Sequence, residues 1–167
     1  MKKVLLFFMF IGIQSVFAQK IAYIEVDKIL DKMPAFEQAN NEIDTQIKSW
    51  NDEIDQKFEK IEELYQNYVL NESQMTDDQK KQKQDEIFNA EAEANEYKES
   101  KFGNEGDLLK LQEQKLKPIY DQIYDKTEEI AAQKGYDYVF EKSSESSWIY
   151  TNPALNITND VIKGLGL

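Results

Sequence analysis

The spacing of the apolar residues changes along the chain, and each spacing predicts a different element. Between residues 36 and 68 they recur every third or fourth position in a background of charged and amide side chains. The mean step of about 3.6 residues is that of an α-helix. The pattern therefore predicts a long helix over 35–70 that buries one narrow stripe. The stripe residues are Phe36, Ala39, Ile43, Ile47, Trp50, Ile54, Phe58, Ile61, Tyr65 and Tyr68.

A polar interruption and a capping signal predict where a second helix begins. Residues 71–75 break the stripe, and Thr76 is followed three positions later by Gln79, the spacing of a capping box. The second helix is expected to reach Lys134, with Gly135 as its C-terminal stop. The two helices then form an antiparallel hairpin whose tip lies near 71–76.

The position of the tip sets the expected pairing along the hairpin. If the tip is centred at 73–74, facing residue numbers sum to about 147. Trp50 then faces Tyr97, and Phe58 faces Phe88–Asn89. We interpret Phe58 and Tyr65 as seam residues between the helices, with exposed ligand contacts on the distal arm as the alternative. Gly103 and Gly106 predict a bend in the second helix.

The segment before the hairpin has a shorter period. Residues 20–26 read K-I-A-Y-I-E-V, a β-branched and aromatic run that predicts a strand. Asp27 is expected to cap a short helix over 28–33. Pro34 fits the first position of the long helix, where its missing N–H removes no hydrogen bond.

The segment after Gly135 returns to a period of two. Tyr138 and Phe140 alternate with polar residues and predict a second strand. A third, short strand is expected over 148–150, and Thr158 is expected to cap a final helix. The apolar face of that helix is Val161, Ile162 and Leu165.

Strands at both ends of the chain predict that the two ends meet in one small sheet. The expected fold class is α+β and mostly helical: a body of residues 19–34 and 135–167, from which an arm of residues 35–134 projects. Because so small a sheet buries too little apolar surface for a stable core, we expect several copies to associate through their bodies. The residues expected in this oligomerisation body are Ile21, Tyr23, Ile24, Val26, Tyr138, Phe140, Trp148, Tyr150, Val161 and Ile162.

The first eighteen residues predict export. Lys2 and Lys3 precede a 14-residue apolar run over 4–17, which is too short for a membrane span of about 20 residues. Val16-Phe17-Ala18 then offers a cleavage site, as in a secretory signal peptide. We expect cleavage after Ala18, a periplasmic location and no stable membrane insertion afterwards.

Composition excludes several kinds of chemistry. The chain has no histidine and no cysteine, and all 20 basic residues are lysine. A Cys/His zinc site, a thiol nucleophile and a Ser-His-Asp triad are therefore absent. The net charge of −12 argues against nucleic-acid binding. The acidic pairs lie on solvated helices, so we expect no enzyme, no catalytic or metal-binding residues and no cofactor.

Three segments resemble the OmpH/Skp family of periplasmic chaperones for outer-membrane proteins. They are K-I-A-Y-I-E-V-D-K-I-L (20–30), G-Y-D-Y-V-F-E-K (135–142) and N-I-T-N-D-V-I-K (156–163). The resemblance implies a homotrimer whose helical arms enclose unfolded outer-membrane proteins and prevent their aggregation without ATP. Familiar members are basic, whereas this chain is acidic, so lipopolysaccharide binding has no support here.

Candidate client contacts are expected near the tip of the arm. Tyr68 ends the stripe, whereas Val69, Leu70 and Met75 lie off it. An alternative function is an envelope coiled-coil protein or adaptor that binds one folded partner through its arms. A pull-down distinguishes the two, since a chaperone recovers many unfolded clients and an adaptor recovers one partner.

Overall fold

The computed structural model describes residues 19–143 and 148–167. The predicted signal peptide, residues 1–18, lies outside the described residues. The fold is mostly helical, with long helices and one small two-stranded sheet. The elements are β1 (Ile21–Ile24), α1 (Val26–Leu30), α2 (Pro34–Asn71), a 3₁₀ turn (Glu72–Gln74), α3 (Asp77–Phe102), α4 (Asp107–Lys134), β2 (Tyr138–Glu141), a second 3₁₀ turn (Pro153–Leu155) and α5 (Thr158–Gly164).

Local chemistry at the helix ends follows the sequence. Pro34 lies in the first turn of α2. At the start of α3, the Thr76 hydroxyl accepts the Gln79 N–H at 3.3 Å, and the Gln79 side-chain oxygen accepts the Thr76 N–H at 2.9 Å. The capping box is therefore confirmed. Gly135 ends α4 in the left-handed conformation, at φ 66°.

Gly135 gives a first test of the fold. Its positive φ costs a residue with a Cβ about 1–2 kcal/mol, although no atom would obstruct the Cβ itself. Gly135→Ala is therefore expected to lower the free energy of unfolding in urea by about 1 kcal/mol. Gly135→Asn should lower the free energy of unfolding by less, because asparagine adopts the left-handed backbone region more readily than alanine does. Equal stability of Gly135→Ala and the native chain would contradict the assigned C-cap.

The two ends of the chain meet in one layer, as the sequence predicts. Strands β1 and β2 are parallel, with Ile21 opposite Tyr138 and Ile24 opposite Glu141. The other edge of β1 is occupied near Asn156, which forms an isolated bridge with Tyr23. The next N–H along the chain, that of residue 157, donates to the Tyr23 carbonyl at 3.0 Å.

Three local expectations at the chain ends are wrong. Residues 148–150 are irregular, because the second edge of β1 already pairs with the bridge at Asn156. Helix α1 begins at Val26, so Asp27 lies within its first turn and Glu25 is the N-cap. Helix α5 begins at Thr158 itself, and the buried Thr158 hydroxyl instead accepts the Glu25 N–H at 2.9 Å.

Glu25 connects segments from both ends of the chain. Its carboxylate accepts hydrogen bonds from the Lys28 ammonium and the Asn156 amide, each at 2.8 Å. Lys142 lies 3.5 Å from the other carboxylate oxygen. The hydrogen bond from Lys28 is the largest of the effects that lower the pKa of Glu25. The carboxylate thus stays charged where α1, β2 and the segment before α5 converge.

The core forms where α1, α4 and α5 cover the sheet. Val26, Ile29, Ile123 and Val161 are its largest fully buried side chains. The first turns of α2 also reach this core through Ala39. Because α4 contributes Ile119, Ile123 and Ile130, the end of the arm is anchored in the body.

Helices α2 and α3 lie side by side, in a register different from the predicted one. Trp50 meets Phe102 edge to face, with ring centroids 5.9 Å apart. Nearer the tip, the Gln84 amide donates to the Tyr68 hydroxyl at 2.8 Å. In both pairs the two residue numbers sum to 152, whereas the predicted register gives a sum of about 147. The 3₁₀ turn and the capping box place the reversal of the chain close to Thr76, later than 73–74.

The seam between these helices is narrower than the predicted stripe. In α3 only Ala94 is fully buried. Phe58 and Tyr65 are 40% and 55% exposed, so their assignment to the seam is wrong. Two helices can cover only the positions between them, which leaves the flanking positions in solvent. The buried residues of α2 are Ala39, Ile43, Trp50, Ile54, Ile61 and Tyr68.

Candidate functional site

The predicted client contacts near the tip have different environments. Tyr68 is buried, and its hydroxyl donates to Glu72 at 3.3 Å and accepts from Gln84. It therefore joins the helices and offers little surface to a ligand. Val69 and Leu70 are 52% and 77% exposed. Met75, in the turn before α3, is half-buried.

An apolar strip lies beside the seam. Phe58, Tyr65 and Val69 of α2, with Phe88 of α3, are all exposed, and we call these four residues the side strip. At about 100° per residue, the three α2 members are turned about 20–80° from the buried seam residues Ile54 and Ile61. Phe88 is turned about 120° from Ala94, the buried residue of α3, in the same rotational sense, so it lies nearer the outer side of its helix than the α2 members do. Because the helices are antiparallel, the same sense places all four on one side of the pair.

The sequence predicts Val69 as a ligand contact and leaves Phe58 and Tyr65 as alternatives. It did not predict a strip that includes Phe88, although a signal for the α2 part existed. Phe58, Tyr65 and Val69 follow one another at steps of seven and four residues, as the seam residues Ile54, Ile61 and Tyr68 do at seven. Phe58 and Tyr65 each follow a seam residue by four positions, and Val69 follows Tyr65 by four, so the spacing predicts a second stripe beside the seam. The single broad stripe assumed from the sequence merged the two stripes.

A polar and aromatic cluster holds the middle of the arm at the break between α3 and α4. The Lys101 ammonium forms an ion pair with Asp107 across that break and lies 5.5 Å from the centroid of the Trp50 ring. This ion pair lowers the pKa of Asp107. Tyr97 donates to the Glu53 carboxylate of α2, and this bond is the largest of the effects that raise the pKa of Tyr97 to about 12. The phenol therefore remains a donor at neutral pH.

A second apolar surface lies at the body. Ile21, Tyr138, Phe140, Trp148 and Tyr150 are each at least 40% exposed. The rings of Phe140 and Trp148 meet edge to face at 5.9 Å, and those of Tyr138 and Phe140 stack at 6.4 Å. We call this surface the association face; part of it, with Tyr23 and Leu155, lines an apolar cleft of about 400 Å³.

The remaining residues predicted for the oligomerisation body lie inside the single chain. Tyr23, Ile24, Val26 and Val161 are buried, and Ile162 packs against the core. They therefore form the interior of the body beneath Ile21 and the exposed aromatic residues.

Neither a metal cluster nor a spanning helix is found in the described part of the chain. Across residues 19–143 and 148–167, no group of three or more acidic side chains could hold a metal ion. Within the same ranges, no helix combines the length and apolar character needed to cross a membrane.

Comparisons with known proteins place the chain in a structural context. The family profile described as "Outer membrane protein (OmpH-like)" matches residues 20–165. The fold is similar to a crystal structure from Caulobacter crescentus CB15, described as an outer membrane chaperone (OmpH-like). The TM-score is 0.70, the sequence identity is 10%, and the match covers 89% of this chain and 84% of the other. No curated protein matches the sequence.

Proposed function

Because the chain belongs to the OmpH-like family of outer membrane proteins, we propose that it is a periplasmic holdase chaperone for unfolded outer-membrane proteins. It works without ATP and without a cofactor, as a homotrimer whose arms surround the client. The observation that carries this proposal, beyond family membership, is the exposed apolar side strip on a slender pair of helices.

The arm suits weak and repeated contacts. An unfolded outer-membrane protein exposes apolar strand segments in water, and these segments aggregate through their edges. The side strip and Val69–Leu70 at the arm end offer apolar contacts to such segments. Each contact is small, but several arms acting on one chain add their affinities. Such contacts also exchange rapidly, so a client is released without ATP.

The association face supports the trimer. A monomer that exposes adjacent aromatic side chains carries an apolar patch of the kind that marks protein interfaces. These rings lie at the sheet, so contact between copies there would leave the arms projecting. Three arms around one axis enclose a space that a single arm cannot.

Light scattering after dilution of a urea-unfolded outer-membrane barrel tests the function. The mature chain, which we define as residues 19–167, is expected in excess to suppress scattering, because bound segments cannot pair with one another. A soluble globular protein of similar charge at equal mass serves as the control. Scattering that is the same with the mature chain and with this control would overturn the chaperone role.

A further inference from the structure

The negative charge is concentrated on the arm. Residues 35–134 carry 25 carboxylates and 13 lysines, a net charge of −12. The body segments 19–34 and 135–167 together carry 7 carboxylates and 5 lysines, a net charge of −2. Around the tip, residues 51–98 carry 14 carboxylates and 6 lysines. The field around the side strip is therefore negative.

Carboxylates alternate with the apolar members of the side strip. Along α2 the order is Asp55, Phe58, Glu62, Tyr65 and Val69, at steps of three and four residues that keep all five on one side of the helix. On α3, Glu91 follows Phe88 by three residues and shares its side. Asp55, Glu62 and Glu91 are all exposed.

The lysines nearby do not neutralise these carboxylates. Lys60, Lys80 and Lys83 pair with Glu63, Glu72 and Glu86. Lys57 instead lies 5.1 Å from the centroid of the Tyr97 ring. Among the described residues, no lysine lies within 4.0 Å of Asp55, Glu62 or Glu91. Glu62 accepts a hydrogen bond from the neutral Gln66 amide at 2.9 Å, which leaves its charge uncompensated. The three carboxylates therefore remain available to a cationic ligand.

We propose that the side strip binds extended polypeptide segments in which aromatic or aliphatic residues alternate with lysine or arginine. The apolar side chains of such a segment cover Phe58, Tyr65 and Phe88, while its cations lie against Asp55, Glu62 and Glu91. An acidic segment of equal hydrophobicity is repelled by the same carboxylates. The arm thus selects clients by charge, an inference that rests on the proposed chaperone function.

Two matched peptides test the selection. Both are unstructured, with identical aromatic and aliphatic residues, and carry either lysine or glutamate at the alternating positions. Fluorescence anisotropy with the mature chain is expected to show binding of the lysine peptide at least about tenfold tighter at low salt. The difference should shrink in about 0.5 M salt, where the screening length falls to a few ångströms. Equal affinities at low salt, or tighter binding of the glutamate peptide, would overturn the proposal.

Variants locate the contact. Phe58→Ser combined with Phe88→Ser is expected to weaken lysine-peptide binding at least about fivefold, because it removes two exposed aromatic contacts. The matched control is Leu109→Ser, which removes a 53% exposed apolar side chain of α4, outside the side strip and away from the arm end. Glu62→Gln with Glu91→Gln should reduce the preference for lysine while leaving apolar binding in high salt unchanged. Unchanged binding in the Phe58/Phe88 variant would place the contact elsewhere.

Two further outcomes are diagnostic. If the Phe58/Phe88 variant changes the mass of the free assembly, the side strip is covered by another copy of this chain and the proposal is wrong. If acidic and basic barrels are protected equally from aggregation, charge selection fails while the chaperone function stands. If neither barrel is protected, the chaperone function itself fails.

Discussion

Ile123→Ala is expected to lower the free energy of unfolding by about 2–5 kcal/mol, because it truncates one of the most deeply buried side chains of the core. Ile123 belongs to α4 and packs in a core shared with α1, α5 and the start of α2. Removing its side chain leaves a cavity between elements from both ends of the chain. Urea denaturation of the mature chain at fixed concentration measures the change.

Leu109→Ala is the matched control for this substitution. Leu109 lies in the same helix but is 53% exposed, so its truncation should cost less than about 0.5 kcal/mol. A similar loss for both variants would mean that α4 is not anchored through Ile123. The core would then be assembled differently from the one described.

Phe140→Glu is expected to separate the proposed trimer into single chains and to abolish suppression of aggregation. Phe140 lies at the centre of the association face, between Tyr138 and Trp148, and a buried unpaired carboxylate there would cost several kcal/mol. The side chain is 44% exposed in the single chain, so each subunit should still fold. Sedimentation measures the mass of the variant, and circular dichroism measures whether its helices are retained. Light scattering with an unfolded barrel measures the loss of suppression.

Phe88→Glu provides the control for association. Phe88 is even more exposed than Phe140, but it lies on the arm. Its replacement should leave the mass of the assembly unchanged. Loss of mass in both variants, or in neither, would show that the association face has been assigned to the wrong part of the molecule.

Features fixed by neighbouring residues were predictable from the sequence. The capping box at Thr76 and Gln79, the break between Gly103 and Gly106, and the stop at Gly135 depend on side chains and backbone within one turn. The strands at 21–24 and 138–141 were also expected, because β-branched and aromatic alternation is local. The parallel pairing agrees with the expectation that both chain ends share one sheet.

Features that depend on distant contacts were not predictable in detail. The register of α2 against α3 follows from how many residues the tip uses, and a shift of the reversal to Thr76 moved Trp50 from Tyr97 to Phe102. The missing strand at 148–150 depends on Asn156 occupying the edge of β1. The exposure of Tyr65 depends on how wide a surface α3 covers.

The mass of the complex between the mature chain and one unfolded outer-membrane barrel tests the central claim most directly. Native mass spectrometry after dilution from urea reports the assembly and its cargo in one spectrum. The expected result is three copies of the chain with one soluble client, formed without nucleotide. A monomeric chain with no client bound, alongside aggregated barrel, would contradict the proposed chaperone.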